Sequence, residues 1–250
     1  DLLKYGYDPS RPVFGNDSSQ KEQGRGNTKR QTYAAMVTGM DEGIGRILSA
    51  IKEAGIEDNT VVLFQSDNGA EPAAGGSSGE LRGHKFQEWE GGVRSAAVIK
   101  WPKAIKAGWA SDQLCGYIDI APTLCTIAGV NASPSKEYDG IDISSSLLNE
   151  GKKLSRQLYL GHGSIIADDW KLVKAGGGSE KISEKEDFLF NIVEDPMEKN
   201  DLKSQYPLRY QELLKATKPY LEIKPAVKVP PYGQGRKTFK APHEWNIQAE

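Results

Sequence analysis

The sequence predicts an α/β domain followed by a small antiparallel sheet with a helix packed on it. Three observations carry that prediction. Met36, Met40, Ile44, Ile47, Leu48 and Ile51 recur at spacings of three and four, the period of an amphipathic helix. A tight turn at Asp58-Asn59 then leads into the uninterrupted apolar run Val61 to Phe64, and a helix followed closely by an all-apolar strand is the pattern of a parallel layer covered on both faces. Near residue 150 the texture changes to short strand candidates separated by turns. The stretch 131–149, loose in Ser, Pro and Gly, marks the boundary between a first part, 1–150, and a second, 151–250.

Residues 1–30 are rich in Pro, Gly, Asn, Lys and Ser, lack an apolar period and read as an extended surface segment. The helix is expected from Tyr33 to Ile51, with Gly55 as its C-cap. After the strand Val61 to Gln65, a second is expected at Ala96 to Lys100, stopped by Trp101-Pro102, and a third at Leu114 to Ile118. The third leads through Asp119 into a short helix over Pro122 to Ala128, with proline near its start and Gly129 past its end. In the second part, strands are expected at Gln157 to Leu160, Ile165 to Ala167, Trp170 to Val173 and Phe188 to Ile192. Asp168-Asp169 turns a hairpin there, and a helix covers Pro207 to Tyr220. Residues 224–250, proline-bearing and basic, read as a tail laid on the surface.

At 250 residues the chain is long enough for a large core, as one large domain or one and a half. The 32 Lys and Arg nearly balance the 34 Asp and Glu, which argues against a general nucleic-acid binder. No apolar run reaches the roughly 18 residues of a membrane span. The first residues, DLLKYGYDPSRPVFGND, lack the basic-then-apolar pattern of a signal peptide and read as the interior of a longer protein. Cys115 and Cys125 have no metal-ligand spacing, and sequons at Asn16 and Asn131 are compatible with secretion.

Chemistry concentrates between Thr60 and Arg94. Asp67 and Asn68 stand where an apolar strand meets solvent, the usual ligand crevice of an α/β sheet, and offer hard oxygen donors of the kind calcium or magnesium takes. Asp-Asn-Gly is equally a common turn sequence, and two donors do not fill a shell of about six to eight oxygens. Lys85 is either a fixed positive charge returning to the same crevice or a solvated lysine on a loop. Trp89, among Glu90, Gly91, Gly92 and Arg94, is suited to stacking on a sugar or aryl ring and equally to a core. His162, between Gly161 and Gly163, is a candidate donor to a substrate or an incidental loop histidine. No P-loop, Ser-His-Asp signature or zinc motif is present.

Seven stretches in register resemble the second half of a type I sulfatase: YAAMVTGMDEGIGRIL at 33–48, DNTVVLFQSDNG at 58–69, LRGHKFQEWEGGVR at 81–94, DIAPTLCTIAG at 119–129, DGIDISSSL at 139–147, DWKLV at 169–173 and FNIVEDPMEKNDL at 190–202. Among subgroups the chain is most similar to the arylsulfatase B, or N-acetylgalactosamine-4-sulfatase, type, above all in RGHKFQEWEGGVR. The resemblance implies the C-terminal part of an alkaline-phosphatase-like α/β domain followed by a small subdomain of antiparallel sheet plus helix. It implies that Asp67 and Asn68 are the late pair of ligands to one calcium ion and that Lys85 contacts the sulfate. It also makes Trp89 and His162 plausible substrate contacts.

In that family the nucleophile is a formylglycine made from Cys or Ser in a C/S-x-P-S-R motif. The aldehyde hydrate attacks sulfur, an alcohol leaves, and collapse of the hemiacetal expels sulfate while calcium polarises the sulfate oxygens. The present sequence lacks the motif, for Tyr7 stands where its cysteine is required in YDPSR, and the early aspartate pair is also missing. The expectation is therefore a sulfatase fragment, inactive alone, whose partner is the missing N-terminal half. The complete enzyme is expected to hydrolyse a sulfated carbohydrate or aryl sulfate, in a secreted, periplasmic or lysosomal setting. A non-catalytic sulfatase-like glycan binder and a phosphate or phosphonate ester hydrolase of the same superfamily are the alternatives.

Overall fold

The computed structural model describes residues 6–11, 26–130, 138–148, 152–177 and 185–223. Both sequons' asparagines and the basic tail lie outside the described residues. Helix α1 (Lys29–Glu53) starts ahead of its apolar period because Thr28 caps it. The Gln31 N–H donates to the Thr28 hydroxyl at 3.2 Å, and the Thr28 N–H donates to the Gln31 side chain at 2.8 Å. This capping box is written in the sequence as Thr-x-x-Gln, a signal the apolar period alone passes over. Gly55, at φ +69°, takes the left-handed position past the end. The apolar stripe of α1 faces outward: Met36 is 69% and Ile47 59% exposed.

Strand β1 (Val62–Gln65) leads into a long loop that carries the single-turn helix α2 (Glu90–Val93) and returns as β2 (Ala97–Lys100). The two strands are antiparallel, with Val62 opposite Lys100 and Gln65 opposite Ala97. This corrects the expected parallel layer covered on both faces. The excursion 66–96 brings the chain back alongside β1 in the reverse direction, a hairpin-like connection rather than a crossover. Both strands are also partly exposed, with Phe64 and Val98 at the surface.

The expected strand Leu114 to Ile118 is not formed. Its backbone is engaged by side chains instead: Gln113 Nε2 donates to the Leu114 carbonyl at 2.8 Å, and the Gly116 N–H donates to Asp119 Oδ2 at 2.7 Å, opening a 3₁₀ turn over Tyr117–Asp119. Helix α3 (Ile120–Ile127) follows, and a short α4 (Ser144–Leu148) lies in the stretch the sequence reads as loose. Asp119 anchors this region, accepting from Ile141 N–H at 2.9 Å and pairing with the buried Arg156 guanidinium.

The second part matches its expected elements closely. Strands β3 (Gln157–Gly161), β4 (Ser164–Ala167), β5 (Trp170–Val173) and β6 (Phe188–Asn191) form an antiparallel meander in that order. Helix α5 (Pro207–Leu221) packs on one face, where Leu213 meets Ile165, Leu172 and Leu189. The alternation of strand side chains sends Ile166, Val173 and Phe190 to the opposite face, which is covered by Trp89 from the loop of the first part. The sheet is thus buried on both faces, and Trp89 is the plug that joins it to the loop carrying Lys85.

Candidate active site

Two segments of loop are knotted together beside β1. The Gly69 N–H donates to the Gly92 carbonyl at 2.8 Å, and the Lys85 N–H donates to the Ala70 carbonyl at 2.9 Å. Glycine is required at the crossing: a Cβ on Gly69 would overlap the Gly91 carbonyl, and one on Gly91 would overlap the carbonyls of Gly83 and Arg82. Ser78 Oγ donates to the Gly91 carbonyl at 2.7 Å and ties a third segment into the knot. Phe86, directly after Lys85, sits at φ +79°, a left-handed conformation uncommon for a side chain of this bulk. Strain of this kind is held in place by surrounding structure and clusters at functional sites.

The knot brings Asp67, Asn68 and Lys85 onto one piece of backbone. Asp67 is exposed and Asn68 half-buried. Asp67 Oδ1 accepts from the Asn68 N–H at 3.0 Å and from Asn68 Nδ2 at 3.1 Å, and that amide also donates to the Gly69 carbonyl. The other aspartate oxygen and the amide oxygen are the hard donors on offer, a set that fits an oxygen-seeking divalent cation. Among the described residues no cluster of three or more His, Cys, Asp or Glu side chains forms a complete metal cage. Lys85 is half-buried, with Nζ 5.3 Å from the centre of the Phe86 ring.

Trp89 is 3% exposed. It meets Phe188 and Phe190 edge-on, and the Arg82 guanidinium covers its ring at 3.7 Å. Of the two readings the sequence allowed, it occupies the core one in this chain. Its neighbour Glu90 reaches a charge network inside the protein. Lys171 Nζ donates to Glu90 Oε1 at 2.8 Å and lies 2.9 Å from Glu198 Oε1, with all three side chains essentially inaccessible. Glu198 Oε2 accepts the Glu90 N–H at 2.7 Å, and Arg94 Nε donates to Glu90 Oε2 at 2.6 Å. Burial pushes the Glu90 carboxyl up, but the ammonium of Lys171 and the guanidinium of Arg94 outweigh it and hold the group below the usual carboxylate range. Burial of Glu198 outweighs the Lys171 ammonium, its one cation, and the Glu90 carboxylate beside it adds to the rise, so its carboxyl is raised.

His162 is exposed at the tip of the β3–β4 hairpin, away from the core. Gly161, His162 and Gly163 all have positive φ (+117°, +48° and +86°), a tight turn in which only the flanking glycines are free of strain. The Gly163 N–H donates to Tyr159 Oη at 2.9 Å, which pins the tip. Glu88 lies beneath: a Cβ on Gly177 would stand 3.3 Å from His162 Cβ and 3.5 Å from Glu88 Oε2.

The knot thus unites Asp67, Asn68 and Lys85, while Trp89 and His162 take separate places. Lys171, Glu198 and Glu88 were not singled out from sequence. Lys171 carried a readable signal, because period-two alternation in WKLV puts its side chain on the same face as Val173. Glu198 carried none, since it reaches the network from an irregular segment at φ +54°.

The family profile described as Sulfatase matches residues 3–130, just over half of the chain. Mouse arylsulfatase J is 29% identical over 252 residues, covering 82% of this chain and 42% of its own length. Mouse N-acetylgalactosamine-6-sulfatase is 34% identical over 145 residues, covering 56% of this chain and 28% of its own. The crystal structure of Ps i-CgsB in complex with k-i-k-neocarrahexaose superposes with a TM-score of 0.68 at 25% identity, over 85% of this chain and 48% of that one. The chain spans less than half the length of each of these relatives. Its fold is that of the alkaline-phosphatase-like sulfatases with their small antiparallel sheet, and the chain belongs to the sulfatase family.

Proposed function

We propose that the full-length protein hydrolyses sulfate esters of a carbohydrate, with Asp67 and Asn68 contributing to one calcium site and Lys85 contacting the sulfate. The observation that carries this reading is the backbone knot, which holds two hard oxygen donors and one lysine on a single rigid support. Calcium, when bound by Asp67, Asn68 and further ligands, supplies Lewis-acid polarisation of the sulfate oxygens. Lys85 holds the anionic group and offsets charge developing on the departing oxygen; its value lies in being fixed before the reaction starts. His162 donates to the sugar from the hairpin tip. Trp89 serves the substrate by positioning, since its ring braces the loop that carries Lys85.

The formylglycine nucleophile and the remaining metal ligands belong to the remainder of the sulfatase domain. That remainder covers the apolar stripe of α1 around Met36, Met40 and Ile47. A carbohydrate substrate is favoured because one relative is named N-acetylgalactosamine-6-sulfatase and one similar structure is a complex with a neocarrahexaose. Among the described residues no helix is long and apolar enough to cross a membrane, and a secreted, periplasmic or lysosomal setting fits the reading.

A side-by-side assay of sulfate and phosphate esters of one aryl alcohol, on the full-length protein, tests the proposal. Sulfate turnover should dominate, and Lys85→Ala should lower its kcat by about 10²- to 10³-fold, the effect of removing one preorganised charge-stabilising group. Dominant phosphate turnover, or retention of sulfated glycans without hydrolysis, contradicts it.

A further inference from the structure

Glu88 is a buried carboxylate that the knot does not use. It is 6% exposed, and its Oε2 has no hydrogen-bond partner. An orphaned buried acceptor of this kind costs folding free energy. Burial pushes its carboxyl above the ordinary range, and the group that most opposes this is the imidazole of His162. The geometry agrees, for Glu88 Oε2 and His162 Cβ both lie within 3.5 Å of one point, the place a Cβ on Gly177 would take. Only glycine leaves that space open. The hairpin tip is itself built to hold His162 in place, with two glycines taking up the turn and Tyr159 pinning it.

We infer that Glu88 is the positioning residue of His162: its carboxylate receives one imidazole N–H, so that His162 presents the other N–H outward to an anionic or hydroxyl-bearing substrate. A carboxylate behind a histidine fixes which nitrogen carries the outward proton and strengthens that nitrogen's donor character. The other charges around the pair are already committed. Lys171 is bound to Glu90 and Glu198, and Lys174 Nζ pairs with Asp187 Oδ2 at 2.7 Å. Glu88 is three positions after Lys85, so one loop then supplies the sulfate-contacting lysine and the support for a sugar-contacting histidine. The identity of the ligand rests on the sulfate-ester reading above; the Glu88–His162 pairing does not.

The test is NMR of the imidazole N–H protons and ring nitrogens in the full-length protein at one fixed pH, with His162 assigned by His162→Gln. Glu88→Gln should abolish the hydrogen-bonded imidazole N–H proton signal of His162 that the native protein shows. With a sulfated substrate it should raise KM several-fold and leave kcat within a factor of about two, the pattern of lost uniform binding. Combined with His162→Gln it should add nothing further. An unchanged His162 N–H signal in a folded Glu88→Gln protein overturns the inference. A protein that hydrolyses no sulfate ester but loses the His162 N–H signal in Glu88→Gln keeps the pairing and refutes the functional reading instead.

Discussion

Replacing Lys171 by Met removes one charge from the interior and leaves the local volume nearly unchanged. The two carboxylates it held remain: Glu90 and Glu198, both essentially inaccessible, one bonded at 2.8 Å and the other in contact at 2.9 Å. Breaking a buried ion pair from one side costs about 3–5 kcal/mol, because the partner is left as an uncompensated charge. That is a large share of the roughly 5–15 kcal/mol that stabilises a domain. With a urea slope of about 2 kcal/mol/M, the midpoint should fall by about 2 M. Trp89, packed on the same face of the sheet, reports the transition by fluorescence.

In the native network Glu90 is depressed below its ordinary value of 4.5, so its stabilisation is present above that value and is lost as pH falls through the folded pKa. Glu198 is raised, so its relative stability is fully present below 4.5 and declines as pH rises through its folded pKa. The two oppose each other. Without Lys171, burial acts on both in the same direction, and the deficit of Lys171→Met relative to the native protein should be greater at pH 7 than at pH 4.5. Adding Glu198→Gln should recover part of it. A loss below about 1 kcal/mol, well under the 3–5 kcal/mol expected, or a deficit that does not change with pH, would refute the network as described.

Two further variants bear on the loops. Gly69→Ala drives a methyl group into the Gly91 carbonyl, part of a backbone that cannot move aside cheaply, and should cost about 1–3 kcal/mol. A thermal melt and calcium titration of the full-length protein should both register it; an unchanged result in both would show that the crossing is loose. Glu88→Gln should raise the melting temperature at pH 7, on the order of 2 °C. The raised carboxyl of Glu88 stabilises the fold below its unfolded pKa and loses that benefit as pH rises through the folded one. A lower melting temperature at pH 7 would make Glu88 a structural residue.

The antiparallel sheet and its helix were legible because each strand is short, bounded by turns and strongly patterned, as in Ile165-Ile166-Ala167 against Trp170-Lys171-Leu172-Val173. The first part was less so. Val61 to Phe64 reads as a strand, but nothing in four apolar residues states the direction of the neighbour; the returning chain decides that. Leu114 to Ile118 looked like a strand because its side chains are apolar, while its backbone groups were taken by Gln113 and Asp119. Asp67, Asn68 and Lys85 were legible as residue types, and their union depends on Gly69, Gly91 and Gly92, whose role is close approach rather than chemistry. Glu88, Lys171 and Glu198 were not singled out because buried charge is defined by partners distant in the chain, as in the pairing of Lys171 with Glu90.

If Asp67 and Asn68 are half of a calcium site, sulfate-ester hydrolysis by the full-length protein depends on that ion. The most direct test is calorimetric titration of calcium into the metal-stripped full-length protein and its Asp67→Ala variant, with sulfate-ester turnover followed in the same samples. The native protein should bind one ion and regain turnover on its addition, and Asp67→Ala should lose both. Equal calcium affinity in the two proteins would contradict it.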